Sequence, residues 1–133
     1  MLPILKLYGI AFVVFFVVDL IWLGLVAKDL YQKEIGSLLK PDVNWAAAII
    51  FYLLFILGLV IFVINPSVES GSLAKAMMLG AFFGLVTYAT YDLTNLATMR
   101  DFTLKITLID LTWGTTLGFL TSTLTYLIND WLF

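Results

Sequence analysis

"WAAAIIFYLLFILGLVIFVI", Trp45 to Ile64, is a run of twenty residues without a single charge. About 20 consecutive apolar residues make a helix long enough to cross the hydrocarbon core of a bilayer. Within lipid only a helix or a closed barrel satisfies every backbone polar group. This stretch therefore predicts a transmembrane helix, and it sets the terms for the rest of the chain. Of the 133 residues, 62% are hydrophobic and 12% charged, roughly half the charged fraction of an ordinary soluble domain. The mean hydropathy is +1.07. A soluble domain of this size has too little interior to hide that much apolar surface.

Three more segments reach spanning length, so the expected fold is all-α: one transmembrane domain over residues 1–133, with spans near 2–27, 45–64, 73–97 and 104–128. The first apolar run exceeds a signal-peptide core and has no small-residue cleavage site after it, so it reads as a retained helix. Between spans, "NPSVESGS" (Asn65–Ser72) reads as a tight turn through Pro66 and Gly71. "TMRDFT" (Thr98–Thr103) reads as a second turn, with Asp101 or Thr103 capping the last helix. The longest connection is "KDLYQKEIGSLLKPDVN" (Lys28–Asn44). It places Tyr31, Ile35, Leu38 and Leu39 on one helical face, against Lys28, Gln32 and Lys33. Two readings stay open: a short interfacial helix ended by Pro41, or an irregular loop.

An even number of spans puts both termini on one side. Lys28, Lys33, Lys40, Arg100 and Lys105 lie on the opposite side, against Lys6 and Lys75 beside the termini. The positive-inside rule then places both termini outside. Trp45 and Trp131 read as anchors at the membrane interfaces.

Carboxylates are the exception to this apolar pattern. "DLIW" (Asp19–Trp22), "DLTN" (Asp92–Asn95) and "DLTW" (Asp110–Trp113) each lie inside a span. Because the helices alternate direction, Asp19, Asp92 and Asp110 approach the same membrane face, each roughly 7–12 Å inside its helix end at 1.5 Å per residue. Their helical faces are polar or aromatic: Tyr8, Phe12, Phe15, Asp19 and Trp22 on the first span, and Tyr88, Asp92 and Asn95 on the third. On the fourth they are Thr107, Asp110, Gly114, Gly118, Thr121 and Thr125. Such stripes belong in a bundle interior. Gly80-x-x-x-Gly84 and Gly114-x-x-x-Gly118 predict that the third and fourth spans approach closely.

No Lys or Arg lies deep in any span to neutralise the aspartates, and Lys105 finds Asp101 four residues before it as a helical partner. An isolated carboxylate at that depth costs on the order of 2.5–3.5 kcal/mol. Desolvation and mutual repulsion then favour at least one protonated carboxyl in the group. A water-filled cavity, a bound cation or a partner's base would serve as well. Trp22, Trp113, Tyr88 and Tyr91 offer aromatic faces to a cationic ligand. The bland alternative is that each Asp bonds Trp, Tyr, Thr or Asn across helices and only locks the bundle. Tyr52 reads as packing, its hydroxyl toward the polar side.

The chain has no Cys and no His. Disulfides, thiol chemistry, haem ligation and the usual zinc ligands are thereby removed, and no metal or cofactor is expected. A net charge of −2 gives no sign of nucleic acid.

"DLIWLG", "IFYLLFILGLVIFVINP", "GAFFGLVTYATYDLTNLAT" and "LIDLTWGT", in that order, resemble a family of small bacterial four-span membrane proteins, domain-of-unknown-function family 2177. The resemblance runs over nearly the whole chain. It implies a protein of the bacterial inner membrane and supplies no catalytic residues. Genes for lipid modification that neighbour members in some genomes imply an association with lipid chemistry.

Three functions compete. The first is binding or transport of a small or amphiphilic ligand or cation, with Asp19, Trp22, Tyr88, Asp92, Asn95, Asp110 and Trp113 as the ligand and proton site. By analogy with small multidrug transporters it would need a homo-oligomer. The second is a non-catalytic accessory subunit of a larger membrane complex. The third is a lipid-modifying enzyme, with an Asp as acid–base or several Asp holding Mg²⁺; the balance leans against an enzyme. The bilayer itself is the one partner common to all three.

Overall fold

The computed structural model describes residues 2–39 and 44–133, and they fold as helices joined by tight turns. Helix α1 (Leu2–Trp22) widens into a π-type turn over Leu23–Ala27 and runs on as α2 (Lys28–Ile35), closing in a 3₁₀ turn at Gly36–Leu38. The long connection is thus helical, the first of its two readings. The end assigned to it at Pro41, the charge counted at Lys40 and the Lys28 side chain lie outside what is described.

Helix α3 (Trp45–Leu59) is capped by Asn44, whose side chain accepts from the Ala47 N–H at 3.1 Å. It passes through a second π-type turn (Val60–Ile64) into α4 (Asn65–Ser70) without leaving helical geometry. "NPSVESGS" is therefore a helix end rather than a turn. Pro66 has no N–H to give and a ring that crowds the preceding turn, and the widened turn before it lets the helix continue. The chain reverses only at Gly71 and Ser72. Gly71 takes the left-handed φ of 65°. The Ser72 N–H reaches the Ser67 carbonyl at 3.0 Å and the Gly71 N–H that of Val68 at 3.1 Å, a Schellman end.

Ser72 then caps α5 (Leu73–Thr98) by accepting from Lys75 N–H. Thr103, rather than Asp101, caps α6 (Leu104–Leu132), accepting from Ile106 N–H. Among the described residues, three helices are long and apolar enough to cross a membrane: Pro3–Leu25, Trp45–Ser70 and Leu73–Thr98. Helix α6 has 29 residues, yet its hydroxyls, Asp110, Asn129 and Asp130 make it less apolar than these three.

Helix α6 is the hub of the fold. It lies antiparallel to α5 in the most extensive helix contact of the molecule, and it also packs along α1. There Trp22 and Trp113 stack with centroids 4.4 Å apart and planes 6° from parallel. At the far end Lys6 sits 3.8 Å over the Phe133 ring, so the two chain ends lie together. The apolar core joins Leu7, Ala11 and Phe15 of α1 to Phe55, Ile56 and Leu59 of α3 and Leu117 of α6. Phe12, counted with the inward face of the first span, is 40% exposed; Ala11 and Val14 turn inward in its place. Trp45 and Trp131 are 66% and 81% exposed at opposite ends of the bundle, where interfacial anchors belong.

Candidate functional site

Gly80 and Gly84 of α5 meet Gly118 and Gly114 of α6, and all four are buried. A Cβ built on Gly80 would lie 2.6 Å from the Gly118 carbonyl oxygen, and one on Gly84 would collide with the Gly114 carbonyl. Only glycine allows this approach. It brings the next turns of the two helices together, and those turns carry Asp92 and Asp110.

All three aspartates are buried: Asp92 is 0%, Asp19 6% and Asp110 7% exposed. They do not close into one trio. No group of three carboxylates among the described residues comes near enough to hold a metal ion. Asp92 faces Asp110 across the α5–α6 contact. Asp19, on α1, stands apart, with Tyr52 of α3 beside it. The Tyr88 phenol is the common neighbour of Asp110, Asp19, Tyr52 and Asp92. The arrangement is a carboxyl pair plus a third carboxyl, with the phenols of Tyr88 and Tyr52 in the space around them.

Asp110 has a partner that the sequence did not reveal. Tyr31 of α2 donates its phenol O–H to Asp110 Oδ1 at 2.5 Å, the length of a charge-assisted O–H···O⁻ bond. The Trp22 indole lies beside the same phenol. One turn on, Glu34 accepts from the Thr103 hydroxyl at 3.0 Å and pairs with Lys105 at 3.6 Å, so Lys105 turns to α2 instead of Asp101. Ile35, Phe102 and Ile106 form a small apolar cluster beneath these contacts, with Leu38 packed against it. The apolar face of α2 thus covers the start of α6, while Leu39 stays exposed. Burial, with the Asp110 carboxylate beside it, pushes the Tyr31 phenol above its usual range, and it remains a donor.

Asp92 is different. Neither of its oxygens has a hydrogen-bond partner among the described residues. Buried polar groups nearly always find partners, so a fully buried carboxyl set against Asp110 needs a proton or a ligand to complete it.

A cleft of about 830 Å³ opens beside the pair, between the first turns of α3 and the last turns of α5. Ala47, Ala48, Phe51 and Val86 supply its apolar wall, Tyr52, Tyr88 and Tyr91 its aromatic one, and Asp110 reaches it from behind. The Thr87 and Thr90 hydroxyls in its wall donate to their own helix, to Phe83 O at 2.7 Å and Val86 O at 2.9 Å. Trp22 and Trp113 lie outside this cleft. They stack on each other and line a smaller hollow of about 420 Å³ on the α1–α6 side. Asn95 is half-buried one turn beyond Asp92, its amide beside the Tyr91 phenol. Of the residues expected to form one site, the structure gathers Tyr88, Asp92 and Asp110, sets Asp19 apart on α1, and puts Trp22, Trp113 and Asn95 at its edges. Tyr31 and Tyr52 are the additions.

These features define an integral membrane protein of the all-α, multi-pass class. The chain belongs to the family described as predicted membrane protein (DUF2177), whose model matches residues 4–127. No curated protein and no solved structure matches it.

Proposed function

We propose that this protein binds an amphiphilic cation from the bilayer, in exchange for a proton, at the carboxyl pair behind the α3–α5 cleft. In this reading α6 is the fourth span, the membrane is the bacterial inner membrane, and both chain termini lie outside. The cleft then opens to lipid in the inner half of the bilayer. An acyl-like chain fits its apolar wall, and a cationic head lies against Tyr52, Tyr88 and Tyr91, which offer π-faces, with Asp110 beyond them.

The observation that carries this reading is Asp92, fully buried and without a hydrogen-bond partner among the described residues, behind a cleft that reaches Asp110. The accessory-subunit reading draws less support, because Gly80, Gly84, Gly114 and Gly118 are taken up by one another within the chain. The enzyme reading on Mg²⁺ draws less support, because no three carboxylates gather among the described residues.

The test uses the full chain in lipid nanodiscs, with dodecyltrimethylammonium as probe and dodecyl phosphate as its anionic counterpart. Protons and the cation compete for the same carboxylates, so affinity for the cation rises with pH and falls as the pair becomes fully protonated. Asp110→Asn should keep the fold and weaken cation binding at least tenfold, about 1.4 kcal/mol. Binding that is indifferent to pH and to Asp110→Asn, or equal binding of the anion, overturns the reading.

A further inference from the structure

Asp92 and Asp110 are identical side chains that face one another, yet their surroundings differ. Asp110 receives a hydrogen bond from outside the bundle: Tyr31, on the helix that follows α1, donates to Oδ1 at 2.5 Å. Asp92 receives none, and both of its oxygens are fully buried. A phenol O–H can also accept a hydrogen bond, but here it is aimed at a carboxyl oxygen. The partner gains most from that donor when it is ionised, since a hydrogen bond to a charged group is about twice as strong as a neutral one. Two facing carboxylates at full burial repel each other and are both desolvated. Such a pair holds one proton between them.

We propose that Tyr31 is a positioning residue that divides the labour of this pair, making Asp110 the resident carboxylate and Asp92 the carrier of the exchangeable proton. With the proton on Asp92, its O–H points to Asp110, and one of the two oxygens otherwise without partners is accounted for. Asp110 then accepts from two directions and presents a fixed negative charge to the cleft that it reaches. The other titratable groups around the pair are Tyr88 on α5, Tyr52 on α3, Asp19 on α1 and Tyr91 at the cleft wall. Each tyrosine is a neutral donor near pH 7, and Asp19 is a further acceptor. None is a cation, so among the described residues outside the spans Tyr31 is what favours one member of the pair over the other. The nearest cation on α6, Lys105, is held by Glu34 at 3.6 Å.

This assignment rests on the pair being the working site proposed above, but its test needs no ligand, so the two can fail separately. The full chain in nanodiscs is titrated by infrared difference spectroscopy, which sees the C=O stretch of a protonated carboxyl directly. At neutral pH the parent should show one such band, and Asp92→Asn should remove it. Asp110→Asn should leave a protonated band in place, shifted because its acceptor has changed. Tyr31→Phe keeps the ring and removes only the donor. It should move the midpoint at which a second such band appears on acidification upward by about one pH unit, because a hydrogen bond to the ionised form of Asp110 has gone. A purely structural Tyr31 would leave the midpoint of the second band unmoved, which overturns the proposal. So would the reverse pattern, in which Asp110→Asn abolishes the band and Asp92→Asn preserves it. Should Asp92→Asn fail to fold, Tyr31→Phe and Asp110→Asn still decide between these outcomes.

Discussion

The two halves of α6 handle polar residues in opposite ways. From Thr103 to Trp113 its side chains reach partners far away in sequence: Tyr31 on Asp110, and Glu34 on both Thr103 and Lys105. From Gly114 to Asn129 the same helix is no less polar, yet Thr121, Ser122, Thr125 and Asn129 have buried oxygens without side-chain partners among the described residues. There the helix is held by contact, with Gly114 and Gly118 against the α5 backbone. One end is specified by hydrogen bonds and charge, the other by shape. A glycine seam tolerates small hydroxyls because they take little room. A carboxyl cannot be accommodated that way, and the acid-bearing end imports a partner from outside the spans.

Breaking the seam should cost most. Gly84→Leu or Gly114→Leu forces the backbones of α5 and α6 apart and should destabilise the fold by more than about 3 kcal/mol. The measure is folded yield and unfolding midpoint in micelles. Leu124→Ile, on the 37% exposed side of the same helix, is the control that should leave both unchanged. Gly variants as stable as the parent would show that shape does not hold this end.

At the other end, Asp110→Ala strands the Tyr31 phenol and should cost about 2 kcal/mol. Amide exchange over Lys28–Leu38 should accelerate while exchange in α3 stays as it was. If α2 remains protected, the contact does not anchor it.

Tyr31→Phe should cost about 1 kcal/mol, with a distinctive pH dependence. The folded protein favours the neutral phenol, so this stabilisation is complete below the usual tyrosine value near 10 and fades as pH rises through the shifted value. The parent should therefore lose stability relative to Tyr31→Phe only in strong alkali. A constant difference across that range would detach the effect from the phenol.

The smallest effects sharpen the contrast. Glu34→Gln removes an ion pair whose lysine is 61% exposed, and should change stability by less than about 1 kcal/mol. Thr121→Val replaces an unpartnered hydroxyl with a methyl and should fall within about 0.5 kcal/mol of the parent. A larger loss would reveal a partner for that hydroxyl and erase the difference between the two ends.

Much of this was legible in the chain itself. Twenty uncharged residues at Trp45–Ile64 determine a membrane helix, because no other open structure satisfies its backbone in lipid. Three- and four-residue spacing alone turns Asp92, Asp110 and the four glycines inward, since helical geometry depends on nothing beyond the helix. Where the helices end was less legible. Pro66 reads as a break, and only a widened turn upstream shows that the helix survives it. Tyr31, Lys105 and Tyr52 were beyond the sequence for a different reason. Tyr31 lies 79 residues from Asp110, and nothing local in "KDLYQKEI" distinguishes a face that rests on lipid from one that rests on α6. Periodicity gives each helix its inward direction. Which inward group meets which, and that Asp92 is left without a hydrogen-bond partner among the described residues, follows only from how the packed helices are rotated and shifted against one another.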